Sequence, residues 1–451
     1  MKTTLLIHNC GHVVTMDAAH RVIRDGWILC RNGRIDRVGT GAPPVSEAAA
    51  TVNARGGIVV PGLVNTHHHM YQNLARAYTP IANLPLLPWL AGLTPLWRHF
   101  NADDLRIASL VAMAELMLSG CTTAADHHYV FPPDCGDLIG AQCAAAGEMG
   151  LRFHAARGAM DTASDLIPAW AVQPTDVILA DAERLVASHH DPNPGAMTRV
   201  VLAPCAMTSA SSNLYRECAR MARHHGLHLH THCAETVAEN DLAQQSHGVR
   251  PVQWLEQHDW ADEHVWLAHG IHFSDAEVDH LGRRHMGVAH CPCSNMRLGS
   301  GICRVADLQS AGARVGLGVD GSASNDSGHL LNEARQALLL ARVARGADAM
   351  RPIDALELAT VGGAAVLGRA DDLGRIEPGR CADLAVFPAT DLFSSGAENA
   401  VDALVLCFPR QVDTLVIDGV VRVTEGRLLG VDLPVLLERH AQIARRITGG
   451  V

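Results

Sequence analysis

The stretch PGLVNTHHHMYQ, residues 61–72, begins as a short apolar run and ends in three consecutive histidines and a short tail. In a β-strand, side chains two positions apart lie on the same face. His67 and His69 would therefore point together, while His68 would point away. Two imidazoles held on one face form half of a metal site, although three adjacent histidines could equally mark a polar strand end.

The composition is that of a globular protein rather than a membrane or nucleic-acid-binding one. The chain has 451 residues, 48% hydrophobic and 18% charged, enough for one large domain and a smaller one. A net charge of −11 disfavours binding to nucleic acid. No apolar run approaches the ~20 residues of a membrane helix. The N-terminus lacks a signal-peptide pattern, so we expect no membrane association and a cytoplasmic location.

The numbers of lysine and cysteine residues exclude several kinds of catalytic and structural site. Lys2 is the only lysine, which excludes a P-loop lysine and an internal Schiff base. The thirteen cysteines are irregularly spaced and odd in number, which indicates reduced thiols rather than a disulfide framework. Histidine occurs 27 times, and its clusters point to a metal site.

Strand and helix patterns divide the chain into a β-rich part at each end and an alternating middle. Residues 1–60 and 371–451 read as short strands with turns, followed by a final helix. Residues 61–370 alternate between strands and helices about eight times, which favours a (β/α)₈ TIM barrel of the α/β class. We therefore predict this barrel with a small β-sandwich domain built from both chain ends. A doubly wound open sheet is the alternative, although no Gly-x-Gly-x-x-Gly follows the first strand.

Residues with metal-binding side chains stand at the ends of the predicted barrel strands. The first strand ends in His67 and His69, the fifth in His232 and the eighth in Asp320. Because such barrels place catalytic groups at the carboxyl ends of their strands, these side chains could converge at one mouth. Three nitrogens and one carboxylate suit one divalent metal, with Zn²⁺ preferred and Fe²⁺ as the alternative, and a water completing the site.

Two further residues near this mouth could transfer or orient protons. Glu235 lies three residues beyond His232 and can overhang the metal as a proton shuttle, although a carboxylate at a helix N-terminus would stand in the same place. His269 ends the sixth strand and could orient the water, or could be a hydrogen-bonded core histidine. His228 and His230 lie on the inner face of the fifth strand and are interpreted as structural.

Three more segments contain the candidate residues that follow the opening stretch in the chain. They are HTHCAE at 230–235, LAHG at 267–270 and GVDGSASND at 318–326. Together these motifs resemble the amidohydrolase superfamily, and more narrowly its branch of nucleobase deaminases with one metal. The resemblance covers nearly the whole chain, including the β-rich ends. It implies a TIM barrel and a hydrolytic reaction at a metal.

The resemblance also assigns a role to each candidate residue. The metal ligands would be His67, His69, His232 and Asp320. Asp320 would in addition take the proton of the metal-activated water. Glu235 would carry a proton to the substrate ring, and His269 would bind near the attacked carbon. Gln72 would face a carbonyl or a ring nitrogen of the substrate.

The end of the predicted fourth strand departs from two patterns of related enzymes. Binuclear relatives carry a carboxylated lysine there, whereas this chain reads Pro-Cys-Ala at 204–206, which implies a single metal. Close relatives tend to continue with Ser-Pro-Phe-Ser, whereas this chain has Ala-Met-Thr-Ser at 206–209. We therefore expect Cys205 and Met207 to contact the substrate, and a flat ring to be stacked differently because the aromatic residue is missing.

The expected reaction is removal of an amino group from a small purine-like ring, most directly conversion of 8-oxoguanine to uric acid and ammonia, in a homo-oligomer. One alternative is a hydrolase of another ring, such as guanine, isocytosine, a pterin or an s-triazine. The other is a non-catalytic metal or ligand-binding protein, which would not need Glu235 or Asp320. The apolar segment at 78–97 is predicted to roof the pocket or to brace the barrel mouth.

Overall fold

The computed structural model describes residues 4–389, 391–407 and 411–449. The strands are, in chain order, β1 Leu5–Val14, β2 Val22–Arg31, β3 Arg34–Thr40, β4 Ala50–Asn53, β5 Ile58–Pro61, β6 Leu63–Asn65, β7 His68–His69, β8 Cys121–His128, β9 Arg152–Ala159, β10 Thr198–Pro204, β11 His228–Cys233, β12 Val265–His269, β13 Gly287–His290, β14 Arg314–Leu317, β15 Asp320–Gly321, β16 Leu384–Phe387, β17 Thr414–Ile417, β18 Val420–Thr424 and β19 Arg427–Leu428.

The helices lie mostly between the strands of the middle part, and local signals set their ends. Asn101 accepts the backbone N–H of Asp104 and begins α2, and Gly226, with φ of 67°, ends α5 in the left-handed conformation. The α-helices are α1 Leu86–Leu93, α2 Ala102–Leu118, α3 Leu138–Met149, α4 Thr175–His189, α5 Ser212–His225, α6 Val237–His247, α7 Pro251–Glu256, α8 Asp275–Arg283, α9 Pro292–Arg297, α10 Val305–Ala311, α11 Leu330–Arg345, α12 Pro352–Glu357, α13 Gly363–Val366, α14 Ala400–Leu406 and α15 Leu433–Thr448.

Eight parallel strands close into a barrel in the order β10-β11-β12-β13-β14-β6-β8-β9, which confirms the (β/α)₈ prediction. The short strands β7 and β15 pair with each other at the carboxyl mouth, with Asp320 opposite His68 and Gly321 opposite His69. Closure of the barrel therefore places the ends of the first and eighth barrel strands side by side.

Strands from both chain ends form one nine-stranded sheet, in the order β19-β18-β17-β16-β5-β1-β2-β3 with β4 beside β1. Apolar residues from both ends pack into a separate core, including Leu5, Val59, Leu384 and Val416. The prediction that both ends build a β domain is confirmed, as a single hydrogen-bonded sheet. The boundaries 1–60, 61–370 and 371–451 stay predictions, and residues 1–3, 390, 408–410 and 450–451 lie outside the described part.

Buried ionic contacts join the barrel to this sheet. The guanidinium of Arg152 on β9 lies 2.7 Å from Asp383 and 3.1 Å from Asp418, and Arg152 is fully buried. The final helix α15 packs instead on α2 and on the turn Met70–Ala75, which follows the metal motif. Its His440 lies within hydrogen-bond distance of Asn73 in that turn, at 2.9 Å. Among the described helices, none combines the length and apolar character that a bilayer span requires.

Candidate active site

A cavity of about 500 Å³ opens at the carboxyl mouth of the barrel. Trp89 and Trp97 line it and are also buried in the hydrophobic core, so segment 78–97 both contributes to the pocket wall and packs over the barrel mouth. His67 is fully buried and packs against His69 and His232, with ring centroids 4.7 and 5.0 Å away. The other predicted site residues in the wall are His69, Gln72, Cys205, His232, Glu235, His269 and Asp320.

The ligand atoms of the four predicted metal-binding residues meet at one point. Nε2 of His69 lies 3.1 Å from Nε2 of His232. The Nε2 atoms of His67 and His69 each lie 3.4 Å from Oδ1 of Asp320. Ligands of a tetrahedral Zn²⁺ are separated from one another by roughly 3.3 Å. The spacing of these atoms therefore matches the ligand set of one ion.

Hydrogen bonds on the far side of two rings determine which nitrogen faces that point. Nδ1 of His69 lies 2.6 Å from the carbonyl oxygen of His127, and Nδ1 of His232 lies 2.7 Å from that of Cys205. Because a carbonyl oxygen can only accept, each Nδ1 carries the proton and donates it. Each Nε2 is then left with a lone pair, as a metal-binding histidine requires.

His67 is oriented by another imidazole. Its Nδ1 lies 2.8 Å from Nε2 of His230, whose own Nδ1 lies 3.0 Å from the carbonyl oxygen of Trp266. Since that carbonyl only accepts, His230 donates from Nδ1 and accepts the Nδ1–H of His67. Nε2 of His67 keeps its lone pair and makes no hydrogen bond within the described residues. The interpretation of His230 as a hydrogen-bonded interior residue is confirmed, and its partner is a predicted ligand.

The electrostatics of these four residues suit a cation. Burial lowers the pKa of His67 and His232 well below the usual value, and it also lowers the pKa of His69. Burial alone would raise the pKa of Asp320, but His67, His269 and His69 outweigh it and hold that pKa well below its usual range. Neutral imidazoles and an ionised carboxylate are the states in which these groups bind metals. The donor set therefore fits a divalent metal.

Two serines hold the carboxylate of Asp320. Its Oδ2 accepts the hydroxyl of Ser294 at 2.6 Å and that of Ser324 at 3.3 Å, and its Oδ1 accepts the backbone N–H of Gly321 at 2.7 Å. The backbone of Asp320 is left-handed, with φ of 59°, which is strained for a residue other than glycine. Sequence reasoning missed both serines. Ser324 stands in the motif at 318–326, and Ser294 lies four residues after the end of the seventh barrel strand, so both could have been noticed.

Glu235 lies beside the metal-binding atoms. Its Oε2 is 3.6 Å from Nε2 of His269, and its Oε1 accepts the hydroxyl of Ser300 at 3.3 Å. Burial raises the pKa of Glu235 to about 7 against the opposing effect of His269, and Asp320 and Glu239 add to the rise. Oε2 of Glu239 accepts the backbone N–H of Glu235 at 2.9 Å and so holds it in place. A carboxyl group with this pKa can gain and lose a proton near neutrality.

His269 connects Glu235 to the metal-binding atoms. A ring nitrogen of His269 lies within 4.8 Å of ligand atoms of both His67 and Asp320. Its Nδ1 contacts the side-chain amide of Asn295 at 3.1 Å, and its backbone is left-handed with φ of 73°. His269 is buried and hydrogen-bonded, as the alternative of a core histidine expected, but it also lines the cavity.

The segment after the fourth barrel strand differs from the prediction. Met207 is not part of the cavity wall and packs against the hydrophobic core instead. The reason is a tight turn, in which the N–H and hydroxyl of Ser209 bond back to Ala206, so that Ala206, Thr208 and Ser209 face the cavity. Cys205 does reach the wall. Burial raises the pKa of its thiol to about 12, so the thiol stays protonated and is not an activated nucleophile.

Aromatic side chains reach the cavity from other elements. Tyr129, directly after β8, lines the cavity and stands edge-on to His69 with ring centroids 5.1 Å apart. The indole of Trp89 donates to the carbonyl oxygen of Ala323 at 3.2 Å, which ties the roof to the segment after Asp320. These rings supply flat apolar surfaces even though position 207 does not. Sequence reasoning missed Tyr129, although its place directly after the second barrel strand is a position at the barrel mouth.

Residues 58–422 match the sequence profile of the amidohydrolase family. The match covers most of the chain and contains all four predicted metal-binding residues. The chain belongs to the amidohydrolase family. The family resemblance inferred from the motifs is thereby confirmed, and so is the fold that it implied.

Curated relatives and a solved structure agree with this membership. This amidohydrolase is 44% identical to 8-oxoguanine deaminase of Pseudomonas aeruginosa, over 94% of the chain and 95% of the relative. It is 37% identical to hydroxydechloroatrazine ethylaminohydrolase of Pseudomonas sp. (strain ADP), over 99% of the chain and 96% of the relative. Atrazine chlorohydrolase TrzN from Arthrobacter aurescens TC1, solved in complex with zinc, superposes with a TM-score of 0.92 at 31% identity, covering 98% of this chain and 100% of that one. The protein is a metal-dependent hydrolase acting on carbon–nitrogen bonds.

Proposed function

We propose that this amidohydrolase removes the amino group of a purine-like ring by hydrolysis, converting 8-oxoguanine and water to uric acid and ammonia. The observation that carries the proposal is the convergence of one carboxylate and three histidines beside Glu235 and His269 in the wall of a single cavity. The 44% identity to 8-oxoguanine deaminase of Pseudomonas aeruginosa favours this ring over others.

A single divalent metal would be held by His67, His69, His232 and Asp320. We propose Zn²⁺, with Fe²⁺ as the alternative, because the donor set is three imidazoles and one carboxylate. One ion is proposed because Cys205, rather than a lysine, directly follows β10. When bound, the metal would lower the pKa of a water from about 15.7 toward ~7 and so make hydroxide available at neutral pH.

The protons are moved by this chain's own carboxyl groups. Asp320, which would also be a ligand of the metal, accepts the proton of the attacking water, and the hydroxyls of Ser294 and Ser324 hold its carboxylate in place. Glu235 donates a proton to the ring nitrogen next to the attacked carbon, so that negative charge does not build up on the ring. His269, 3.6 Å from Glu235, lies beside the attacked carbon and stabilises the tetrahedral intermediate. The amino group then takes the proton held by Asp320 and leaves as ammonia as the carbon–nitrogen bond breaks, while the hydroxyl on the attacked carbon becomes a carbonyl and returns its proton to Glu235.

Gln72 is proposed to form hydrogen bonds with the polar edge of the substrate ring. It lines the cavity, is 1% exposed, and its Oε1 makes no hydrogen bond within the described residues. Its amide packs against Gly321, where a Cβ atom would fall 1.8 Å from Oε1, so the glycine leaves room for this side chain. The amide would bond a carbonyl or ring nitrogen of the substrate. Cys205 would contribute a van der Waals contact only.

Ammonia release from several rings tests the proposal. The zinc-loaded protein is incubated with 8-oxoguanine, guanine, isocytosine, a pterin and an aminotriazine under identical conditions. We expect the highest kcat/KM for 8-oxoguanine. A higher value for another ring would replace the substrate but keep the reaction, and no ammonia from any ring would refute the deaminase function.

A second candidate function is hydrolysis of another substituent on a triazine ring. The 37% identity to hydroxydechloroatrazine ethylaminohydrolase of Pseudomonas sp. (strain ADP) favours it. The same residues would serve, but the leaving group would be an alkylamine. Chromatography of the products from an N-ethylaminotriazine separates the two functions, because ethylamine rather than ammonia would be released.

Assembly and location stay predictions from the sequence. A homo-oligomer is proposed, and sedimentation of the purified protein would test it. A cytoplasmic location is proposed, and fractionation of cells that express the protein would test it.

A further inference from the structure

The catalytic groups take up only part of the cavity. Its volume of about 500 Å³ lies within the range of pockets that enclose drug-sized ligands, ~300–1,000 Å³. A bare bicyclic base is smaller than such a ligand. A second part of the wall, which we call the outer chamber, is lined by Leu87, Leu90, Leu93, Leu166, Ile167 and Leu242.

The outer chamber exposes large apolar side chains on two elements. Leu87 on α1 is 43% exposed, and Leu242 on α6 is 45% exposed. Leu87, Leu90 and Leu93 are spaced three residues apart, which places them along one side of α1. Apolar side chains concentrated around a concave site are typical of a surface that is covered when a ligand binds.

Charge in the wall restricts what can bind there. Among the described residues that line the cavity, none is arginine or lysine, whereas Asp165, Glu235, Glu239 and Asp320 are acidic. Apart from the proposed metal at the catalytic residues, a phosphate or carboxylate on the ligand would therefore meet no compensating cation among these wall residues and several like charges. The group that enters the outer chamber must be uncharged and largely apolar.

We propose that the preferred substrates are aminated rings that carry an uncharged alkyl or aryl substituent, which fills the outer chamber while the ring lies against the catalytic residues. This inference rests on the proposed function for the position of the ring. The unsubstituted ring is then the smallest substrate rather than the best one. The competing arrangement is closure of α1 over a bare ring, in which the leucines contact each other.

A substrate series tests the inference. The best ring of the ammonia assay is compared with its N-methyl, N-propyl, N-benzyl, N-carboxymethyl and ribosyl derivatives, made at each ring nitrogen away from the amino group. We expect kcat/KM to rise roughly fourfold for each added methylene at one of these positions. The carboxymethyl and ribosyl derivatives should show no such gain, because their polar groups would lose water in an apolar chamber.

Variants connect that gain to the outer chamber. Leu242→Ser and Leu87→Ser should each lower the ratio of kcat/KM for the benzyl derivative to that for the parent ring, by about tenfold. Val237→Ser is the matched control, because Val237 lies on the same helix α6, is 56% exposed and is not part of the cavity wall. Its ratio should equal that of the wild type.

The outcomes separate this inference from the proposed function. Turnover of the parent ring with equal or lower kcat/KM for every alkyl and aryl derivative would overturn the inference and support closure of α1. A ribosyl derivative preferred over benzyl would also overturn it. If no ring is hydrolysed, the proposed function fails, and calorimetric binding still decides about the chamber. The benzyl-substituted ring should then bind at least tenfold more tightly than the parent, and equal binding would refute the inference.

Discussion

Replacing His230 by phenylalanine isolates one hydrogen bond of the metal site. His230 accepts the Nδ1–H of His67 at 2.8 Å and stacks on Trp266 with ring centroids 4.5 Å apart. Phenylalanine keeps an aromatic ring of similar size and so preserves the stack, but it removes the acceptor. The Nδ1–H of His67 is then left buried without a partner, and the proton is no longer directed away from Nε2, the atom that would bind the metal.

The expected loss follows from the burial of that donor. A buried polar group without a partner costs about 1–3 kcal/mol, which equals a factor of roughly 5–150 in a dissociation constant. Removing the outer hydrogen-bond partner of a metal-binding histidine typically weakens metal binding by about 10–100-fold. We therefore expect His230→Phe to bind Zn²⁺ about 10–100 times more weakly than the wild type.

Competition with a chromophoric chelator measures this affinity, and thermal unfolding shows whether the variant is folded. His230→Gln should recover most of the affinity, since its amide oxygen can accept from His67. His228→Phe is the control, because His228 lies two residues earlier on β11 and its ring neighbours are His264 and Trp266 rather than a ligand. A folded His230→Phe protein that binds Zn²⁺ as tightly as the wild type would refute the reasoning.

Three other results are expected. Glu235→Gln should keep the metal, measured by elemental analysis, and lower kcat by about 10²–10⁴-fold; loss of the metal would argue against a role in proton transfer alone. The same change should stabilise the metal-free protein above pH 7. The raised pKa of Glu235, about 7 against an ordinary 4.5, contributes stability below pH 4.5 that is lost as the pH rises through 7. Denaturant titrations should therefore show that the variant unfolds with a free energy on the order of 2 kcal/mol higher than the wild type at pH 8 and with the same free energy near pH 4. A difference in stability that does not change with pH would contradict this. Arg152→Leu should destabilise the fold by about 3–5 kcal/mol by leaving Asp383 buried and unpaired. Adding Asp383→Asn should restore part of the lost stability. Equal stability of the wild type and Arg152→Leu would show that this ion pair does not stabilise the contact between the barrel and the terminal sheet.

The side chains that would contact a flat substrate ring could not be predicted from a short motif. The missing aromatic residue at 207 predicted a change in how a flat ring is held, with Met207 as a contact. Met207, in the turn at 206–209, is partly buried and packs against the core, and Tyr129 and Trp89 line the cavity from other elements. A short motif carries no information about which distant aromatic residues reach the same wall, because that depends on how the barrel closes.

Much of the metal site could be predicted because its signals are local. The period of two within a strand places His67 and His69 on one face and His68 on the other. It likewise places His230 on the inner face, opposite to the residues directly before and after it. The placement of His232 and Asp320 at strand ends follows from the barrel architecture once about eight alternating strands are counted. The first inference needs only residues that are close in the chain, and the second needs only the order of strands and helices along it.

The sequence by itself thus determined the fold class, through the alternation of strands and helices along residues 61–370, and the four candidate ligands, through strand periodicity and short motifs. Only the tertiary structure decided that His230 orients His67 from 163 residues away and that Ser294 holds Asp320 from 26 residues away. It also decided that α15 packs on the turn after the metal motif rather than remaining with the terminal strands. The physical reason is that hydrogen-bond partners are selected by the closure of the barrel and the burial that accompanies it, and neither is encoded in the spacing of a motif.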